Sequence, residues 1–84
     1  MTVLTDNDYN DLRPHIEVIR KYRTTGTEVS RQPRNIMARI MLERYGEVVN
    51  LSCGGCISRM YSLMNDFLDQ YEQAVKNGEW TRHY

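Results

Sequence analysis

SCGGCISRMYSLMNDFLDQYEQAVKNG, residues 52–78, is the stretch that decides the fold. Cys53, Ile57, Met60, Met64, Phe67, Tyr71 and Ala74 recur at alternating spacings of four and three. At 3.6 residues per turn, that spacing gathers them on one face of a single long helix. Cys56, Tyr61, Leu68 and Val75 widen the apolar stripe, while Arg59, Ser62, Asp66, Asp69, Gln73 and Lys76 fall mostly on the other side. Ser52 is the expected N-cap, because its hydroxyl can accept from an orphan amide of the first turn. Asn77-Gly78 is the expected stop, since glycine takes the left-handed cap conformation without steric cost. The helix is therefore expected over 52–77.

Two shorter helices precede it. Thr5 can cap a short helical turn over 6–12, with Asp8 as its capping partner. Tyr9, Leu12, Ile16 and Ile19 continue at helical spacing. Pro14 breaks that pattern by removing a backbone donor and crowding the preceding turn. A bend at Arg13-Pro14 and a helix over about 14–24 follow, with one kinked helix as the alternative. Thr24-Thr25-Gly26-Thr27 closes the helix. Ser30 or Gln32 is the expected cap of the next helix, over 33–45, and Pro33 suits its first turn. Ile36, Met37, Ile40, Met41 and Tyr45 are its expected buried stripe, and Gly46 ends it. Residues 47–51 read as a short extended connection, with a lone β-bridge as the alternative and too short a run for a sheet. The 79–84 tail carries Trp80 and Tyr84, which either fold back on the core or order on a partner. The expected fold is all-α: a single domain over 1–84, a small three-helix bundle organised on its long C-terminal helix.

With 84 residues the chain buries a modest core and would gain stability from oligomerisation or a staple. No apolar run approaches the roughly 18 residues of a membrane span. The acidic N-terminus lacks a signal-peptide pattern, so a cytoplasmic location, or a particle assembled in the cytoplasm, is expected. Net charge is zero, but its distribution is uneven. Residues 1–12 hold Asp6, Asp8 and Asp11 and no base. Residues 13–44 hold Arg13, Arg20, Lys21, Arg23, Arg31, Arg34, Arg39 and Arg44 against Glu17, Glu28 and Glu43. Residues 45–84 are acidic again. Arginine suits bidentate contacts to phosphate or carboxylate. Either Arg20, Lys21, Arg23, Arg31, Arg34, Arg39 and Arg44 bind nucleic acid or an acidic partner, or the basic middle neutralises the acidic ends within the fold.

Cys53-Gly54-Gly55-Cys56 is the only motif with chemical character. Such a motif at a helix start can depress a thiol pKa, although the βαβ context of thioredoxin-like enzymes is missing. As a metal site it supplies two ligands; His15 and His83 would complete four zinc ligands, or two chains would share four cysteines. A disulfide across so small a loop stabilises little, and a cytosolic setting would keep it reduced. The preferred reading is packing: cysteine acts as a small hydrophobe, and the paired glycines let helix 1 or 2 approach closely. There is no phosphate-binding Gly-x-x-x-x-Gly-Lys loop, no Gly-x-Ser-x-Gly elbow and no His-Glu-x-x-His motif. The row Asp66, Asp69 and Glu72 reads as a solvated face. No enzyme, no resident cofactor and no small-molecule substrate are expected.

The pattern from Tyr45-Gly46 through Asn50-Leu51-Ser52-Cys53-x-x-Cys56, leading into an amphipathic last helix, resembles small helical proteins encoded by tailed phages and prophages. It covers roughly the last half of the chain. The resemblance implies a viral or mobile-element origin and an accessory or interaction role. It assigns no functional residues. The leading expectation is a non-enzymatic protein acting by protein–protein binding or self-association into an oligomer. Its motivation is a methionine-rich helix set, with Met37, Met41, Met60 and Met64 able to adapt to a partner. The first alternative is a helix-turn-helix-like nucleic-acid binder using 13–44, with a 46–51 connection longer than usual. The second is a thiol or zinc function at Cys53 and Cys56.

Overall fold

A computed structural model describes residues 3–76, and within them the chain is all-α. Helix α1 spans Asp6–Leu12 and α2 spans Ile16–Thr25. Helix α3 spans Arg34–Tyr45, and the long α4 spans Gly54–Lys76. The other three helices pack around α4, as the periodicity requires.

Local chemistry accounts for most of the ends. The Thr5 hydroxyl accepts from the Asp8 amide, and the Asp8 carboxylate accepts from the Thr5 amide, both at 3.1 Å. This reciprocal capping box starts α1. Pro14 falls in a 3-10 turn over Arg13–His15, so the bend lies where expected and α2 begins two residues later. Gly26 and Gly46 stop α2 and α3 with φ of 70° and 72°. Only glycine takes these left-handed angles freely.

Three details differ from expectation. Neither Ser30 nor Gln32 caps α3; the Ser30 hydroxyl instead accepts from the Gln32 amide, and Pro33 takes the cap position. Residues 47–51 form no bridge. At the start of α4, the cap falls on Cys53 rather than Ser52. Cys53 Sγ accepts from the Cys56 amide at 3.2 Å, and its carbonyl accepts from the Ile57 amide. Ser52 is held by an Asx turn, donating its amide to Asn50 Oδ1 at 2.9 Å. The expected stop at Asn77-Gly78, the 79–84 tail and His83 lie outside the described residues.

The core joins Leu4, Leu12, Ile19, Met37, Ile40 and Met41 to Ile57, Met60, Tyr61, Met64, Phe67, Leu68 and Tyr71 of α4. Met37, Met41, Met60 and Met64 are all buried, so they fill the core and offer no surface to a partner. Their unbranched side chains suit the irregular gaps where four helices meet. Burying one such side chain stabilises by roughly 1.5–3 kcal/mol, far more than a solvent-facing ion pair. The apolar seam therefore supplies the stability, and polar contacts set how the helices register.

Asn65 is the chief polar contact within that seam. It lies on the row Tyr61, Asn65, Leu68 and is only 1% exposed. Its Nδ2 donates to the carbonyls of Ile19 and Tyr61, both at 3.0 Å, and its Oδ1 accepts from Arg20 at 3.2 Å. A buried amide with its partners in place ties α2 to one position along α4.

Met64→Ala should lower unfolding free energy by about 2–5 kcal/mol in urea titrations. Ser62→Ala, on the exposed side of the same turn, should stay within about 0.5 kcal/mol.

Candidate functional site

The basic middle folds onto the acidic parts of the chain. Arg20 reaches from α2 to α4, donating to Asp69 at 2.7 Å and Glu72 at 2.9 Å. Arg23 joins Asp69 at 2.9 Å. Asp69 and Glu72 are thus helix-to-helix partners, where the sequence suggested only a solvated row. Arg34 makes a bidentate pair with Glu28 at 2.8 and 2.5 Å. Glu28 also accepts from the Tyr61 hydroxyl at 2.8 Å, which ties the 27–33 loop to α4. Arg39 bridges Asp8, Asp11 and Glu43, and Arg44 donates to Asp8 at 2.7 Å. Five of the seven candidate basic residues therefore have carboxylate partners within the chain. Lys21 and Arg31 form no ion pair among the described residues.

Asp8 is the extreme case, with its side chain 1% exposed. Burial alone would push its carboxyl up. Hydrogen bonds from Arg44 and the Thr5 amide, together with the Arg44 charge, outweigh that penalty and hold it below its ordinary value. The Arg34 hydrogen bond does the same for Glu28 against a smaller burial penalty, and Arg23 then Arg20 do so for Asp69. Burial, then donation to Glu28, pushes the Tyr61 hydroxyl up and keeps it protonated.

At and just past the end of α3, large apolar side chains are exposed beside the paired charges. Val48 is 80%, Leu42 53% and Tyr45 48% exposed. Tyr45 was expected in the buried stripe. Its ring instead lies on the rim of the core, 5.9 Å from Phe67, with the Arg59 guanidinium 5.9 Å from its centroid. Arg59 also pairs with Glu47, so both signs of charge lie close to Tyr45. The hydrophobic spacing of α3 could have exposed this: Ala38, Leu42 and Tyr45 form a second row at helical spacing, beside the row of Met37 and Met41.

The cysteine motif also departs from its packing reading. Cys53 and Cys56 are free thiols of intermediate exposure and lie outside the core cluster. A Cβ built on Gly54 or Gly55 would meet nothing within 4 Å, so no backbone approaches there. Among the described residues no three His, Cys, Asp or Glu side chains converge as a metal site. His15 is therefore not brought to Cys53 and Cys56, and the single-chain zinc set does not assemble around these three. The two thiols are unlike. The Cys56 thiol, followed by the Cys56 and Gly55 amides, favours the Cys53 thiolate and lowers its pKa. The same thiol contact, then burial and the Cys53 charge, raise that of Cys56.

A groove of about 230 Å³ between α2 and α4 is lined by Tyr22, Arg23, Ser58, Ser62, Asn65 and Asp66. It falls below the roughly 300 Å³ at which small-molecule clefts begin. Among the described residues no helix is long and apolar enough to cross a membrane. No protein-family model, curated protein or solved structure matches the chain.

The depressed carboxyls set the acid limit of stability. Each folded-state pKa lies below its unfolded value, so the stabilisation is complete above about pH 5 and is lost as pH falls through the folded values. Asp8→Asn keeps an acceptor but removes the charge. It should cost about 1–2 kcal/mol at pH 7, a figure kept low because both arginines are partly solvated. The gap from the natural chain should narrow as pH falls below the ordinary aspartate range in urea unfolding; a gap independent of pH would contradict the role given to Asp8.

Proposed function

We propose that this chain is a non-enzymatic interaction protein whose partner is a second copy of itself. The observation that carries this reading is the exposure of Leu42, Tyr45 and Val48, three large apolar side chains within seven residues at and just past the end of α3. Large apolar side chains left in water this close along the chain favour a contact surface. The same segment carries both signs of charge, with Glu43 paired to Arg44 and Glu47 to Arg59. Two copies related by a two-fold axis can then set opposite charges against each other around an apolar centre, without a like-charge barrier. A chain of 84 residues also has the most to gain from such burial. An origin in a tailed phage or prophage is part of this reading and rests on the sequence pattern of residues 45–56.

Nucleic-acid binding is the weaker reading. Arg20, Arg23, Arg34, Arg39 and Arg44 would each have to leave a carboxylate to meet a phosphate. Lys21 and Arg31 alone would give a shallow salt dependence, because each phosphate contact contributes a slope of only about −0.9.

Sedimentation equilibrium should show a concentration-dependent dimer or higher oligomer. Leu42→Asp with Val48→Asp should weaken association by about tenfold or more while leaving the helical circular dichroism unchanged, since both side chains face solvent. A natural chain that remains monomeric at high concentration, or a variant that associates equally well, would overturn the proposal.

A further inference from the structure

We propose that Cys53 and Cys56 are a reversible dithiol–disulfide pair, in which Cys53 attacks an incoming disulfide and Cys56 resolves the product. The inference is independent of self-association and rests on the start of α4.

Three features of the geometry support it. Cys53 occupies the N-cap, and its Sγ accepts from the Cys56 amide at 3.2 Å, so the sulfur is folded back over the turn that carries Cys56. Residues three apart across a helix start lie at a Cα separation that a disulfide can span without moving the backbone. The motif is also open. Gly54 and Gly55 are exposed, and nothing occupies the space beside them. A bulky disulfide can therefore approach the Cys53 sulfur, whereas two larger residues would have screened it.

The roles follow from asymmetry. The Cys53 sulfur accepts hydrogen bonds at a helix start, where amides and the helix dipole favour a thiolate. Cys56 supplies two of those hydrogen bonds, from its thiol and its amide, and keeps its own proton, with Glu47 nearby disfavouring a second negative charge. The attacking and resolving sulfurs are thus distinguished before any reagent arrives.

The oxidant is a low-molecular-weight disulfide, RSSR. The Cys53 thiolate attacks one sulfur; a bond forms between Cys53 and that sulfur, the original S–S bond breaks, and one RS⁻ leaves to take a proton from water. Cys56 then loses its proton to water and attacks Cys53 Sγ. The intramolecular disulfide forms, the mixed disulfide breaks, and the second RS⁻ leaves and is protonated. Two protein thiols are oxidised and one RSSR is reduced to two RSH.

The test uses the full reduced chain and glutathione disulfide, with acid quenching and intact mass measurement. The natural chain should lose two hydrogens in mass, stay monomeric in covalent terms, and regain them with dithiothreitol. Cys56→Ser should stop at one stable glutathione adduct on Cys53. Peptide mapping of the natural chain after brief iodoacetamide treatment gives a variant-free readout, with Cys53 expected to react about tenfold faster than Cys56. Two glutathione adducts without an internal bond, a disulfide between chains, or equal alkylation rates would each overturn the proposal. So would a zinc-bridged pair of chains that protects both thiols when zinc alone is added.

Discussion

A carboxylate taken out of water has to be met by a positive charge, and Asp8 is such a carboxylate. Its partners are Arg44 and Arg39 on α3 and the Thr5 amide at the head of α1. That requirement fixes the N-terminal helix against α3. The same logic repeats with more solvent present. Arg20 and Arg23 set α2 against Asp69 and Glu72, and Glu28 with Arg34 lays the 27–33 loop on Tyr61. Each element that packs around α4 is held in register by a guanidinium and a carboxylate, on top of an apolar seam that supplies the stability. Stacked tyrosines add contacts to α4: Tyr9 of α1 lies 4.3 Å from Tyr71, and Tyr22 of α2 lies 4.1 Å from Tyr61.

The architecture was legible because period and punctuation agree. The four-three spacing from Ile57 to Ala74 survives as the buried face of α4, and Gly26 and Gly46 end their helices where the sequence places them. Residues whose role depends on a distant neighbour were harder to read. Asn65 is polar, so the apolar stripe passed over it, although Tyr61 and Leu68 place it on the same face. Tyr45 has the spacing of a core residue, but it is the last residue of α3 and its ring reaches only the edge. At α4 the serine was the better capping residue by propensity, and the turn at Asn50 moves the cap one residue on, to Cys53.

The site was legible only in part for a related reason. A run of arginines has the same composition whether it meets phosphate or the chain's own carboxylates. What separates the two is which helices are neighbours, and that is set by the apolar seam. Once α2 and α3 lie against their partners, five of the seven candidate basic residues are paired within the chain, and Leu42, Tyr45 and Val48 remain exposed. Methionine content suggested an adaptable surface, yet the gaps between four helices take those side chains in. The glycines of the cysteine motif looked like a point of close approach, but they border open space.

Inward commitment of the arginines can be observed directly by nuclear magnetic resonance of the ¹⁵N-labelled guanidinium groups. Arg34 and Arg44 donate through Nε to Glu28 and Asp8, so their Nε–H signals should be shifted, protected from exchange with water and restricted in rotation. Arg31 should exchange rapidly and serve as the internal reference. Uniformly rapid exchange at Arg31, Arg34 and Arg44 would mean that the basic segment is free in solution, and the internal pairing on which this fold and its exposed face depend would be wrong.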